Sequence, residues 1–273
     1  MISLRPARAV AAAIATVGVV AGCGAPAANL GPADAEAVTV TIGVDDTPEG
    51  AVLAHLYGAA LRDAHADVTV VGDLDVAAVD ALLAGEVDIA AGFSGSLLAR
   101  VAPRSEARSA DDVFDALSRA LPAGIAPGDV ATAAENRRVL VVGEPGAETI
   151  EDFAPQCAGV RLDPDAAWEN APGPDALGEA GCVFGVDPAL PAVTGSTTLA
   201  ADSAASLADP EHVFAAQNPV ALYRSQSLSR TATRGLDVVA GELTTTDLAD
   251  MVGQVRGGAD PGEIARAWID GQR

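Results

Sequence analysis

The sequence predicts an α/β fold built on parallel strands, and three observations predict it. Short β-branched runs alternate with amphipathic helical stripes through the first half of the chain. Glycines punctuate the alternation: Gly43 and Gly92 close strand-like runs, and Gly85 closes a helical one. The 273 residues are enough for one large domain or two small ones, and enough to bury a core.

Taken in order, the first element is a leader. Arg5 and Arg8 precede an apolar run, residues 9–20, which ends in Val20-Ala21-Gly22-Cys23. A positive region, an apolar region and small residues in that order make a secretory signal. A cysteine directly after the small pair resembles the cleavage motif of bacterial lipoproteins. Residues 1–22 are therefore expected to be removed and Cys23 to carry the lipid. Residues 23–37, rich in Ala, Pro and Gly, are expected to be a flexible tether. A membrane span needs ~20 apolar residues; this run is shorter and is broken at Gly24-Ala25-Pro26. The implied location is the outer face of the bacterial cell membrane, with acyl-chain burial as the hold.

Residues 38–42 are β-branched and closed by Gly43, which reads as a strand. Asp45-Asp46-Thr47-Pro48-Glu49 opens a helix, with Asp46 or Thr47 as N-cap, Pro48 in the first turn and Glu49 at the positive end of the dipole. The stripe Val52, Leu53, Leu56, Tyr57, Ala60 and Leu61 continues that helix to His65. Residues 68–71 are a second strand, 75–84 a second helix and 87–91 a third strand. Consecutive strands separated by helices imply parallel crossovers. Residues 109–121 form another helix, with Ser109 or Asp111 near its cap. A Pro/Gly-rich link, 122–128, precedes 139–142, whose unbroken apolar run suggests a buried parallel strand. Residues 143–191 are rich in Pro, Gly and Asp, with faint strands at 160–162 and 182–186, and read as a small second lobe. Residues 219–223 return as a strand. Residues 227–240, 245–256 and 261–270 close the chain as helices, the last two opened by Thr244-Thr245-Thr246-Asp247 and Asp260-Pro261-Gly262-Glu263.

Composition narrows the partners. The formal charge is −22 and every basic residue is arginine. Such acidity argues against nucleic acid and anionic headgroups as partners. With Cys23 assigned to lipid, Cys157 and Cys182 remain, an even number in an oxidising compartment, and a disulfide is the default. Closing that loop would stabilise by roughly 3 kcal/mol in the chain-entropy model. Two buried thiols or a metal pair are the alternatives; none of His55, His65 and His212 lies near either cysteine in sequence. No metal site and no cofactor are expected. The chain has no P-loop, dinucleotide fingerprint or zinc spacing.

Four segments, in order, carry a resemblance. They are Ile42-Gly43-Val44-Asp45-Asp46-Thr47-Pro48-Glu49; Gly85-Glu86-Val87-Asp88-Ile89 with Phe93-Ser94-Gly95-Ser96; Glu135-Asn136-Arg137-Arg138-Val139-Leu140; and the C-terminal Gly241-Glu242-Leu243-Thr244-Thr245-Thr246-Asp247-Leu248 with Gln254-Val255 and Asp260-Pro261-Gly262-Glu263-Ile264-Ala265-Arg266-Ala267-Trp268-Ile269. Together they resemble the substrate-binding proteins of ABC importers, of the glycine betaine/choline (osmoprotectant) class. The resemblance implies a two-lobed clamshell of the type II periplasmic-binding-protein kind, with a small second lobe. Lobe I would comprise residues 38–134 and 194–273, and lobe II residues 135–193. It implies a lipid-anchored solute receptor, not an enzyme, with ABC permease subunits as partners. A solute in the cleft would meet Asp45, Asp46, Thr47, Phe93, Ser94 and Gly95 from lobe I. From lobe II and the crossings it would meet Asn136, Arg137, Arg138, Thr194 and Thr197.

The departures bear on the ligand. The family holds a quaternary ammonium group in a box of aromatic rings by cation–π attraction. This chain has two Trp, two Tyr and five Phe. Ala90 and Phe93 stand where the family has tyrosines, Arg138 where a tyrosine follows the crossing Asn, and Asp45 where the family carries a lysine. A small polar or zwitterionic solute therefore fits better, its cation toward Asp45 or Asp46 and its anion toward Arg137 or Arg138. Several of these residues also have structural roles open to them: Asp46 and Thr47 as helix caps, Phe93 as core, Ser94 and Gly95 as a turn, and the arginines as solvated charges. Tyr57 and Trp268 read as packing, Tyr223 as either packing or cleft, and Trp168 as a cleft candidate. Gly92-Phe93-Ser94-Gly95-Ser96 approaches a nucleophile elbow, but its second glycine is displaced. A transport-inactive lipoprotein of the same fold, acting as sensor or assembly partner, is the rival function.

Overall fold

The computed structural model describes residues 39–143, 146–170, 176–201 and 205–273. The expected signal peptide, Cys23 and the tether lie outside the described residues. Among the described residues, no helix is long and apolar enough to cross a membrane.

Two sheets organise the chain. The larger is built from β1 (Val40–Gly43), β2 (Val68–Val71), β3 (Ile89–Phe93), β4 (Ile125–Pro127) and β8 (Pro219–Arg224), in the order β2-β1-β3-β8-β4. The first three strands are parallel, as the β-helix-β alternation predicts. β8 runs antiparallel to both β3 and β4. The smaller sheet has the order β5-β7-β6, from β5 (Arg138–Val141), β6 (Arg161–Pro164) and β7 (Ala192–Thr197).

The larger sheet is covered on both faces. One face packs on α1 (Pro48–Asp63), which is backed by α7 (Arg230–Glu242), α8 (Thr245–Arg256) and α9 (Pro261–Gly271). The other face packs on α2 (Ala78–Ala84), α3 (Ser94–Val101) and α4 (Ala110–Ala120). The caps are those expected. Thr47 accepts from the Gly50 amide, Ser109 from Asp112, Asp260 from Glu263, and Thr244 with Asp247 forms a capping box. α2 ends at Gly85, whose φ of 83° is the left-handed conformation that favours glycine. Tyr57 and Trp268 pack in the α1 core as expected, as does Tyr223. Burial pushes the Tyr57 hydroxyl pKa upward.

The smaller sheet has its own core, in which Trp168 of α6 (Ala166–Asn170) stands edge-on to Phe214, with ring centroids 5.2 Å apart. Trp168 is therefore core rather than cleft. Cys157 and Cys182 meet in the same core, Cα atoms 5.2 Å apart and sulfurs within bonding distance. Cys157 belongs to the 3-10 segment (Ala154–Gly159) that follows α5 (Ile150–Phe153).

Four local expectations are corrected. The segment after β3 is not a turn but the start of α3. Gly95 sits inside that helix because a Cβ there would lie 2.5 Å from the Ala216 carbonyl oxygen. The link at 122–128 contains β4, which completes the larger sheet against β8. β5 is antiparallel to β7, and residues 205–207 run antiparallel along its other edge, with the Leu207 amide donating to the Leu140 carbonyl and the Val142 amide to the Ala205 carbonyl; Val139 and Leu140 are its buried residues. Residues 182–186 form no strand. They are held by the Cys182 contact and by the Gly185 amide on the Val160 carbonyl, and Val183 and Val186 stay exposed. The chain also returns to the larger sheet later than 194. β7 is the middle strand of the smaller sheet and Phe214 lies in its core, so the return is made by residues 215–219.

Candidate functional site

Two stretches of chain cross between the sheets side by side, and their hydrogen bonds form the base of a cleft. The Asn136 amide donates to the Gln217 carbonyl at 2.9 Å, and Asn218 Nδ2 donates to the Ala134 carbonyl at 2.9 Å. The Ser94 amide donates to the Asn218 carbonyl, and Ser94 Oγ accepts from the Asn218 amide at 3.1 Å. Gln217 Oε1 accepts from both the amide and the hydroxyl of Ser96, at 2.9 and 3.0 Å. The N-terminus of α3 is thereby tied to the second crossing.

Above this base lies a cleft of about 840 Å³. One wall comes from the larger sheet: Asp45, Asp46 and Thr47 after β1, Gly92 and Phe93 at the end of β3, and Ser96 and Arg100 on α3. The facing wall comes from the smaller sheet: Ala166 and Ala167 of α6, and Thr197 at the end of β7. Asn136 and Gln217 lie at the crossing, and Arg256 reaches in from the end of α8. Ligand sites in open α/β sheets form outside the carboxyl ends of parallel strands, and β1 and β3 end here. Apart from Glu49, the rest of the lining is small or aliphatic, including Leu53, Ala77, Val79 and Ala91, and Phe93 is the single aromatic ring among the described residues that line it.

The charged side chains of the cleft are not equivalent. Arg256 pairs with Glu49 at 2.5 Å, and Arg100 grips Asp80 through both its Nε and an amino nitrogen. Each arginine is thus neutralised by a carboxylate of the same lobe. Asp45 Oδ1 accepts from the Ala78 amide at 2.7 Å and so caps α2. Asp46 is exposed and makes no hydrogen bond or ion pair with a described residue. Asn136 Oδ1 is buried and has no hydrogen-bond partner. The cleft therefore presents negative charge, with an unpaired acceptor buried in its lining. Among the described residues it presents no arginine free of a carboxylate.

Of the residues expected at the site, Asp45, Asp46, Thr47, Phe93, Asn136 and Thr197 line the cleft. Ser94 does not; it is buried against the second crossing. Gly95 also faces that crossing and borders a smaller hollow beside α3. Arg137 turns to Glu135 at 3.4 Å and to the buried Asp209 at 4.0 Å, and Arg138 lies over the Trp168 ring, 5.4 Å from its centroid. Thr194 is exposed on β7, paired with Val141 and Asp163. Neither arginine lines the cleft, so the expected anion contact has no residue there. Glu49, Arg100, Gln217 and Arg256 were not anticipated in the cleft lining. Gln217 sits beside the expected return strand, a signal that was available; Arg256 reaches the cleft only because α8 packs beside α1.

Residues 38–198 and 189–271 match the family described as the substrate binding domain of the ABC-type glycine betaine transport system. No curated protein sequence matches the chain. A crystal structure titled as a glycine betaine/carnitine/choline ABC transporter is similar with a TM-score of 0.69 at 19% identity, covering 85% of this chain and 97% of that one. YehZ from Escherichia coli, in its apo form, is similar with a TM-score of 0.66 at 16% identity, covering 86% of this chain and 98% of that one. At these identities the likeness is one of fold: the two-lobed α/β architecture of solute-binding proteins.

Proposed function

The chain belongs to the family of substrate-binding domains of ABC-type glycine betaine transport systems, and on that premise we propose that it is the extracytoplasmic solute receptor of an ABC importer. In this reading it is tethered to the membrane by a lipid on Cys23, captures a small polar solute that bears a positive charge, and delivers it to permease subunits. A solute that touches both walls gains its full set of contacts only when the lobes approach, and so draws the population toward the closed state.

One observation carries the reading: a cleft of about 840 Å³ at the crossing, with Asp46, which no described residue engages, on one wall and Asn136 at its base. The zwitterion expectation narrows accordingly. Arg137 and Arg138 are engaged elsewhere, so the cation contact is the one the site supports.

A thermal-shift series on the mature domain tests this, with glycine betaine, choline, ethanolamine and L-arginine as probes. A ligand that binds only the native state raises apparent stability as RT ln(1 + [L]/Kd). At least one cationic probe is expected to raise the melting temperature. Asp46→Asn is expected to weaken that probe about tenfold, in line with a lost charge-assisted hydrogen bond. Acetate, run beside them as an anion without a positive charge, shifting the protein while none of the four probes does would overturn the ligand class. No shift with any probe would favour the transport-inactive reading, for which the small aromatic complement of the cleft speaks. The anchor is tested separately. Cys23→Ser is expected to release the protein from the membrane fraction, and unchanged partitioning would refute lipidation.

A further inference from the structure

We propose that this cleft selects cations carrying at least one N–H donor over quaternary ammonium compounds, and that Asn136 is the residue that reads the donor. The proposal rests on the receptor reading above and names its substrate class.

The argument begins with what a trimethylammonium group needs. It has no N–H, so it gains nothing from a hydrogen-bond acceptor, and a protein holds it through aromatic faces around the charge. The cleft offers one ring, Phe93; its other apolar residues are aliphatic or small. A primary, secondary or tertiary ammonium carries its charge on N–H bonds and calls for oxygens instead. Asp46 supplies a carboxylate that no described residue engages. Asn136 supplies a second acceptor, and its environment is the more telling one.

Asn136 stands where the chain crosses between the sheets, its amide fixed on the Gln217 carbonyl at 2.9 Å. Asn136 is one of the residues that line the cleft, and its Oδ1 is buried at that wall without a hydrogen-bond partner. A buried acceptor left unpaired is unfavourable, and a donor brought to it recovers that loss. A ligand whose N–H meets Asn136 gains this term, and one with methyl groups in place of every N–H forfeits it. Sites built to hydrogen-bond a donor reject the analogue lacking it more strongly than apolar pockets reject an extra methyl. Asp46 attracts both kinds of cation by charge. Asn136 is the group that tells them apart.

Calorimetric titration of the mature domain with ethanolamine, N-methylethanolamine, N,N-dimethylethanolamine and choline tests this. The four are cations at neutral pH with the same hydroxyl, and only choline has no N–H. Choline is expected to bind about tenfold or more weakly than N,N-dimethylethanolamine. Asn136→Ala is expected to bring the two within about twofold of each other, whereas a merely structural loss would weaken both equally and keep their ratio. Asn136→Asp, which keeps an acceptor at the position, is expected to restore the preference. Choline binding as tightly as the N–H series, or more tightly, overturns the selectivity while the receptor reading stands. A preference that survives Asn136→Ala at full strength overturns the role of Asn136. If none of the four binds wild type while glycine betaine does, the proposal falls and the receptor reading survives. If neither the four nor any probe of the thermal series binds, both fall.

Discussion

Removing the Cys157–Cys182 link by a double alanine substitution is expected to destabilise the protein by about 2–5 kcal/mol and to unfold the smaller lobe first. The smaller sheet has three strands, and its core carries both sulfurs together with Leu140, Phe153, Trp168 and Phe214. The larger sheet is covered on both faces by helices and does not contain either cysteine. The two tryptophans make the test direct, because Trp168 lies in the smaller lobe's core and Trp268 packs against the α1 core. Fluorescence of single-tryptophan variants in urea should give coincident transitions for the bridged protein. In the double-alanine protein the Trp168 transition should come at lower urea than the Trp268 transition. Unchanged midpoints for both reporters would remove the bridge from the stability argument. Two alkylatable thiols in the unreduced mature chain would remove the bridge itself.

Trp168→Ala is expected to cost about 3–5 kcal/mol, the range for emptying a large buried aromatic site, and to abolish solute binding with it. Trp168 is 8% exposed, stands edge-on to Phe214 at 5.2 Å and carries the Arg138 guanidinium over its face at 5.4 Å. Gly195 of β7 admits this ring: a Cβ there would lie 2.7 Å from it. The side chain thus seats α6 on β7, and α6 brings Ala166 and Ala167 to the cleft wall, with Thr197 at the end of β7. Without the ring the far wall loses its support, even though every residue of the near wall remains. Trp168→Phe, which keeps an aromatic body, should lose less than half as much stability and retain binding. Calorimetry at a temperature where circular dichroism shows that no unfolding transition of the variant has begun separates the two effects. Full binding by Trp168→Ala under those conditions would show that the wall does not depend on the ring.

The legible part of the sequence was the part whose physics is local. Strands β1, β2 and β3 carry β-branched runs, α1 carries a stripe of apolar residues with Thr47 and Pro48 at its start, and Thr244 with Asp247 writes a capping box within four residues. These signals depend on neighbours a few positions away, so composition and spacing determine them. Half of the cleft was legible for the same reason. The turn after β1 and the end of β3 project from the same edge of any parallel sheet, which places Asp46 and Phe93 together. The pair Cys157 and Cys182 was legible by arithmetic.

Only the tertiary structure decided the rest. β4 is three residues long and exists because β8 lies beside it. β5 runs antiparallel to β7, which pairs with it as Arg138↔Thr197 through Val141↔Thr194 from far along the chain, and no local pattern records a partner's direction. The direction of the arginines was settled by groups distant in sequence: Asp209 claims Arg137 and Trp168 claims Arg138. Arg256 enters the cleft by pairing with Glu49, 207 positions away. The sequence by itself determined the fold class, the strand-and-helix order of the first lobe and the carboxylates in the loop after β1, because propensity and capping act over a turn or two. Which cleft side chains have no partner among the described residues, Asp46 and the Asn136 Oδ1 among them, depends on every partner that long-range packing supplies to the others.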